Sequence, residues 1–414
     1  MSGDLLLTGG RVRTLDTAGI VAEAVLVEDG RIAAVGTSRD LTGRARPGTQ
    51  ALDLAGRTVI PGLIDAHAHL ELSALAGQRW VQVRAASPEA AAARVAEAAA
   101  EPGTGEWIVA QGTFGQHLPS REQLDAAAPG RPVIVRESMH RLSASSEALA
   151  RAGIDRRFVE PAGTRVRRTA AGEPTGIVEE GFDLFPLPWP DAGWLADALP
   201  GQARDSFVRF GVTAIHELPA SQAALDAWRT LAGSDRMPCR IVLNPILRPG
   251  HQATVGGPGE LLELRAGLGS VHPWLTVGAL KLFLDGAGCA GLHHAQLSGP
   301  ARGWGLQNFL YGELVRILAE CRDARVHVWM HAVGDAAHTL AIDAVEEVNL
   351  ACGNGDHRTR IEHIPRATAD FSVFERLRRA GIVPVPTAAF MHFEPNMLGS
   401  LVCDRTLCTV LRFS

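Results

Sequence analysis

The stretch Val59-Ile60-Pro61-Gly62-Leu63-Ile64-Asp65-Ala66-His67-Ala68-His69-Leu70 decides how the chain is read. It has the pattern of a short apolar strand that ends on two histidines one residue apart. Side chains at i and i+2 of a strand face the same way. His67 and His69 therefore point together, and two imidazoles on one face make half of a site for a divalent metal. Taken alone, the pair is equally compatible with two ordinary histidines near a turn, so its meaning depends on the ligands supplied elsewhere.

On the N-terminal side, residues 4 to about 58 read as short strands joined by tight turns. Gly9-Gly10 separates two apolar runs, and Asp29-Gly30 does the same between 24–28 and 31–36, a strong hairpin signal. The expectation is a small antiparallel β-sandwich subdomain over residues 1–58 that feeds directly into the His67/His69 strand. On the C-terminal side, Ser87 is placed to cap an Ala-rich helix over 86–101, and 106–112 and 132–136 read as strands. An insertion spans about 70–200, with a small hairpin at 164–178.

From residue 201 the rhythm is regular. Helices at 201–209, 221–231, 311–322, 336–348 and 369–380 alternate with strands at 212–217, 240–244, 280–285, 326–331, 360–363 and 382–385. Alternation of this kind specifies a parallel sheet. Counted from His67, the units approach a (β/α)₈ barrel of the TIM type rather than an open sheet, in a chain of α/β class occupying residues 59–414.

Composition bounds the function. The chain has 414 residues, a formal net charge of -5, 46% apolar and 21% charged residues. These are the proportions of a globular protein with a large core. No basic cluster with interleaved aromatics argues for nucleic acid. No uncharged apolar run approaches the ~18 residues of a membrane span, and the N-terminus lacks the pattern of a signal peptide. Six cysteines, Cys239, Cys289, Cys321, Cys352, Cys403 and Cys408, form no CxxC pair, which fits reduced thiols in the cytoplasm. Lys281 is the sole lysine; every other basic residue of the 40 is arginine. Genomic bias accounts for the depletion, but a position that needs an amine able to lose its proton cannot use arginine.

In a (β/α)₈ barrel, chemistry sits at the C-terminal ends of the strands. His67 and His69 close one strand, Lys281 begins the run before Asp285-Gly286, His331 closes another, and His363 closes the next, one βα unit later. A single histidine at such an end is more often a packing or loop residue. Four of them with a lysine, at unit spacing, are not readily coincidental.

With these residues in place, the chain resembles the amidohydrolase superfamily, in its amidohydrolase-3 branch of YtcJ-like and N-substituted formamide deformylase-like proteins. The motifs are PGLIDAHAH (61–69), KLFLDG (281–286), HAVGDAA (331–337) and RIEH (360–363), with support at 119–135, 172–180 and 211–217. The resemblance implies a metal-dependent hydrolase that cleaves a C–N bond other than a peptide bond, an amide or an N-formyl or N-acyl amine, with a metal-activated hydroxide. It implies one or two divalent metals per chain, zinc by ligand type, held by His67, His69, Lys281, His331 and His363. Lys281 would carry CO₂ as a carbamate, which turns a cation into an anionic oxygen ligand. His140 matches a position near the substrate, a small molecule, and a homodimer is compatible with the family. His216 and Glu217 are placed to line the pocket. His327 reads as packing, and His293, His294 and His392 as loop residues.

The resemblance also implies a proton-shuttling Asp after the eighth strand, in a Gly-Ser-Asp context. Gly399-Ser400-Leu401 departs from that context, and Asp404 has no good strand before it. The catalytic residue is therefore unassigned, and the chain reads as truncated, ending before the last barrel strand and the returning sandwich strands. The alternative is a relative that keeps the metal site as a binding or scaffold protein without the chemistry. A phosphotriesterase- or deaminase-like hydrolase is a further rival, and the lysine argues against the one-metal deaminase type.

Overall fold

Asp29 and Gly30 sit at positive φ, 51° and 71°, the geometry of the two-residue turn that matches strand twist. They join Ala24–Glu28 to Arg31–Gly36 as an antiparallel hairpin. The computed structural model describes residues 3–387 apart from 85–86, 103–104, 114–115, 248–252, 269–270, 288–289, 295–303 and 365–371. The chain divides into two compact units, one made of Met1–Ile64 with Gly211–Ala214 and one of the remainder.

The smaller unit holds a four-stranded and a three-stranded sheet. In the first, Leu5–Thr8 runs antiparallel to Ala24–Glu28 and parallel to Gln50–Asp53. In the second, Arg11–Arg13 runs parallel to Thr58–Val59. The purely antiparallel arrangement expected from the turns is thus corrected to a mixed one. A parallel neighbour requires a crossover, and the helix Ser38–Arg44 lies in that connection. Thr37 caps it, and its Leu41 packs with Leu6, Ala24 and Leu26 in the core.

The larger unit is mixed α/β. Its six-stranded sheet begins with three parallel strands, Val81–Gln82, Ile108–Gln111 and Val133–Arg136. Three antiparallel strands follow, ending on the hairpin Arg165–Arg168 with Pro174–Glu179, where one was expected at 164–178. Another sheet orders Leu275–Val277, Arg240–Leu243, Val212–Glu217 and Leu63–Ala68; a further one is wholly parallel, in the order Ile246–Leu247, Leu280–Phe283, Val328–His331, Arg360–Glu362 and Val383–Val385. Helices Tyr311–Asp323, Asp335–Cys352 and Ser372–Ala380 lie between these last strands in sequence. A single ladder closing into a barrel is not traced among the described residues. The two sheets part at Asn244-Pro245, where Pro245 has no N–H to donate and its carbonyl accepts from Lys281 N at 2.8 Å.

The helix expected at 201–209 is instead Ala192–Ser206, with Pro200 inside it. Pro200 leaves the Ala196 carbonyl without a helical donor, and Arg236 Nη2 supplies one at 3.3 Å. Among the described residues no helix is long and apolar enough to cross a membrane. Cys239, Cys321 and Cys352 are free thiols. Cys289, Cys403, Cys408, His392, the 399–401 segment and Asp404 lie outside the described residues, as does the region where the expected last strand would fall.

Candidate functional site

The strand Leu63–Ala68 delivers His67 at its end, and His69 sits at the N-cap of helix Leu70–Gln78 without capping it through its side chain. The capping is done by Glu217, whose Oε2 accepts from Leu70 N at 2.6 Å and Oε1 from Glu71 N at 3.0 Å. His69 is thereby spared the helix end and turns to the site instead. Glu217 is fully buried, and burial raises its pKa to about 8. Glu71 answers the arrangement: its carboxylate accepts from Ala220 N, Ser221 Oγ and Trp189 Nε1, tying the start of helix Gln222–Gly233 to the helix that Glu217 caps.

The rings of the expected residues are neighbours. His67 and His69 centroids are 5.3 Å apart, His67 and His363 4.8 Å, and His363 and His331 4.8 Å. His140 stands 5.2 Å from His331. His331 ends the strand Val328–His331. His363 lies one residue past Arg360–Glu362 and not within the strand, where it was expected, and its φ is +72°. Few non-glycine residues adopt that left-handed conformation, and those that do concentrate at functional sites. Its amide donates to Val385 O at 2.8 Å, and its Nδ1 pairs with Thr387 Oγ1 at 2.6 Å.

Lys281 lies within the strand Leu280–Phe283, fully buried. Its Nζ has no hydrogen-bond partner. Burial lowers its pKa to about 8, and its charge is among the causes that depress His67, His69 and His331. Burial, the larger cause, holds His69 at about 3 and the other two well below the ordinary imidazole value. Neutral imidazole is the ligating form.

Each histidine but one is oriented through a ring nitrogen. His67 Nδ1 donates to Glu362 Oε2 at 2.6 Å, His140 Nδ1 to Glu180 Oε1 at 2.8 Å, and His331 Nε2 to Gly286 O at 3.5 Å. His69 Nδ1 is buried and unpartnered. Glu362 is in turn gripped by Arg360 Nε at 2.8 Å, while the Arg360 guanidinium carbon lies 3.5 Å from the centre of the Trp329 ring. Glu362 and Glu180 fall within the RIEH and 172–180 motifs, where nothing in the local sequence marks them as partners of histidines. Asp285, in KLFLDG, accepts from Leu292 N, Val333 N and Gly334 N and so fixes the turn after His331; burial raises its pKa to about 8.

Other histidines stand apart. His216 stacks on Trp329 at 5.0 Å. His327 precedes the strand Val328–His331, and burial is the largest cause of its lowered pKa. His293 bonds Asp335, and His294 bonds Thr339.

The donor types suit a divalent ion: neutral imidazoles, an amine whose proton is loosely held, and two buried polar atoms, Lys281 Nζ and His69 Nδ1, with nothing to bond. Among the described residues no three His, Cys, Asp or Glu side chains form a coordination group as they stand. The rings meet edge to face, at interplanar angles of 67°, 61° and 71°.

The fold is that of the metal-dependent hydrolases. A crystal structure of an uncharacterized metal-dependent hydrolase from Pyrococcus horikoshii superimposes with a TM-score of 0.70 at 20% identity, over 97% of this chain and 78% of that one. More narrowly, the chain belongs to the amidohydrolase family, which matches residues 50–403. It is 30% identical over 383 residues to the protein LONG AFTER FAR-RED 3 of Arabidopsis thaliana, covering 87% of this chain and 64% of that relative. It is 27% identical over 377 residues to the N-substituted formamide deformylase of Arthrobacter pascens, covering 87% and 68%. The chain thus spans about two thirds of the length of these relatives.

Proposed function

We propose that the chain is a metal-dependent amidohydrolase that cleaves an amide, N-formyl or N-acyl C–N bond in a small molecule. The observation that carries this reading is Lys281: the sole lysine, fully buried, its amine unpartnered and next to neutral histidines. The naming of one relative as a formamide deformylase supports the bond type. The regular parallel βα units and the likeness to a solved hydrolase support placing the centre on a (β/α)₈ barrel.

In this reading His67, His69, His331 and His363 are metal ligands, and a bound ion, zinc by ligand type, supplies Lewis acidity that lowers the pKa of water and polarises the scissile carbonyl. The Lys281 amine, uncharged once its loosely held proton leaves, adds CO₂ and becomes an anionic oxygen donor, which an arginine cannot do. Glu362 holds the Nδ1–H of His67 and so presents Nε2 to the site, the usual arrangement for a ligating histidine. His140, fixed by Glu180, contacts the substrate.

Metal content of the purified chain, with formate released from N-formylbenzylamine, tests the proposal. One or two ions per chain and formate release that is lost in Lys281→Met are expected. A ¹³C-bicarbonate NMR signal from the carbamate should disappear in the same variant. Retention of no metal after saturation and dialysis overturns the reading. Metal retained without release of formate or acid from any N-formyl or N-acyl amine favours the scaffold alternative.

A further inference from the structure

The strand Val133–Arg136 ends on an arginine that is 2% exposed. Its Nε donates to Ser138 O at 3.1 Å, whereas its Nη1 is buried with no hydrogen-bond partner. Among the described residues no carboxylate answers the charge. The adjacent Glu137 faces Arg141 at 3.4 Å instead, and among the described residues Arg136 forms no salt bridge. What surrounds it is aromatic: the guanidinium carbon lies 4.7 Å from the centre of Trp80 and 4.0 Å from that of Phe182, and Trp189 completes an edge-to-face trio with these two rings. Ring faces attract a cation but take no N–H proton in a strong bond, so the donor edge of the fork remains unspent.

A buried charge without a counter-charge is strongly unfavourable, and natural interiors rarely keep one. Here burial already lowers the arginine pKa to about 9. The arginine is also tied to the site: Ser138, whose carbonyl accepts from Arg136 Nε, accepts from His140 N through its Oγ at 3.1 Å, and the His140 ring stands 5.2 Å from that of His331. A guanidinium fork held between aromatic rings beside a hydrolytic centre matches the planar, two-oxygen geometry of a carboxylate.

We infer that Arg136 anchors a carboxylate of the substrate, so that the amide cleaved by this chain carries an acidic group, as an N-acyl or N-formyl amino acid does. The inference rests on the proposed hydrolase reading for the word substrate, but the anion site is testable without turnover. The probes are phenylacetate and its neutral counterpart phenylacetamide, titrated calorimetrically into the metal-loaded full chain. Phenylacetate should bind and phenylacetamide should bind far more weakly. Arg136→Met should cost phenylacetate on the order of 100-fold in affinity, and bring the acid-to-amide ratio close to one. Arg136→Lys, which keeps the charge without the fork, should lie between. Equal binding of acid and amide by the unaltered chain, a comparison that needs no variant to fold, overturns the inference, as does phenylacetate affinity that survives Arg136→Met.

Hydrolysis separates the two proposals. With the unaltered chain, kcat/KM for N-formylphenylalanine should exceed that for N-formylphenethylamine, which lacks only the carboxylate. Cleavage of both at equal efficiency leaves the hydrolase reading intact and sinks the acidic-substrate inference. Arg136-dependent binding of phenylacetate with neither formyl compound cleaved does the reverse, leaving the anion site standing without the hydrolase.

Discussion

Glu362 Oε2 lies 2.6 Å from His67 Nδ1 across 295 positions of sequence. The carboxylate is wholly buried, and Arg360 holds its other side. His67 is therefore fixed in ring orientation and tautomer by a residue on the strand that precedes His363. Two of the proposed ligands are coupled through one short segment, RIEH.

The coupling predicts how Glu362→Ala behaves. Removing a carboxylate that orients a ligating histidine typically costs 10–100-fold in metal affinity, and that range is expected here. Competition for zinc against a calibrated chelator measures it. Arg360 loses its buried partner in the same variant, so Arg360→Met in the Glu362→Ala background should restore stability without restoring affinity. Affinity unchanged in Glu362→Ala would mean that His67 is held by something other than this carboxylate.

Lys281 predicts a signature in the metal-free chain. Its pKa falls from the ordinary lysine value of 10.5 to about 8 because burial disfavours the charged form. The unfolded chain then holds more protons than the folded one only where the pH lies between the folded and the unfolded pKa. Stability from this group therefore rises with pH between about 8 and 10.5, and below 8 the penalty is constant. Lys281→Met removes the buried amine and keeps the volume. The apo chain should gain about 1–3 kcal/mol at pH 7 and lose that part of the pH slope, while losing metal retention. Urea unfolding of both chains at pH 7, 8.5 and 10 reads the difference; parallel stability curves would show that the amine is solvated.

How much of this was legible depends on the range over which each feature is decided. Local signals were readable: the Asp29-Gly30 hairpin, the hairpin near 164–178, the βα rhythm after residue 211, and histidines at strand ends that meet in space. Features set by distant partners were not. Pro200 argues locally for a break, yet Arg236 takes the carbonyl it orphans and the helix Ala192–Ser206 runs through. Parallel pairing of Leu5–Thr8 with Gln50–Asp53 is invisible to turn signals. Glu362 and Glu180 look like surface charges in a linear reading, because nothing nearby shows that each is buried against a histidine. Arg136, one arginine among many, is singled out only by its burial and its unspent donor.

The glycine of PGLIDAHAH has a steric reason within the smaller unit. A Cβ on Gly62 would stand 2.3 Å from Thr213 Oγ1, 2.4 Å from its Cγ2 and 2.9 Å from its Cβ. Thr213 is branched and cannot swing both substituents clear, so backbone must move. Gly62→Ala should destabilise by about 1–3 kcal/mol, read as a lowered urea midpoint with an unchanged slope. Thr213→Ala, which removes the two nearest atoms, should recover part of the loss in the double variant. Additive losses would place the strain elsewhere.

His140 decides between two roles that geometry alone brings close together. Its ring is 5.2 Å from His331, near enough to belong to the group of proposed ligands, yet its Nδ1 is committed to Glu180, whose Oε1 also accepts from Ala287 N. That bond leaves Nε2 as the nitrogen that either an ion or a substrate oxygen could use. A ligand and a substrate contact differ in what their loss removes. If His140 contacts substrate, His140→Gln keeps the metal stoichiometry and chelator competition of the unaltered chain, while kcat/KM for the N-formyl substrate falls on the order of 100-fold. If it ligates, metal content falls first and activity returns on adding excess zinc. The contact role is the expected one, because His67, His331 and His363 already form an unbroken run of neighbouring rings at 4.8 Å spacing without it.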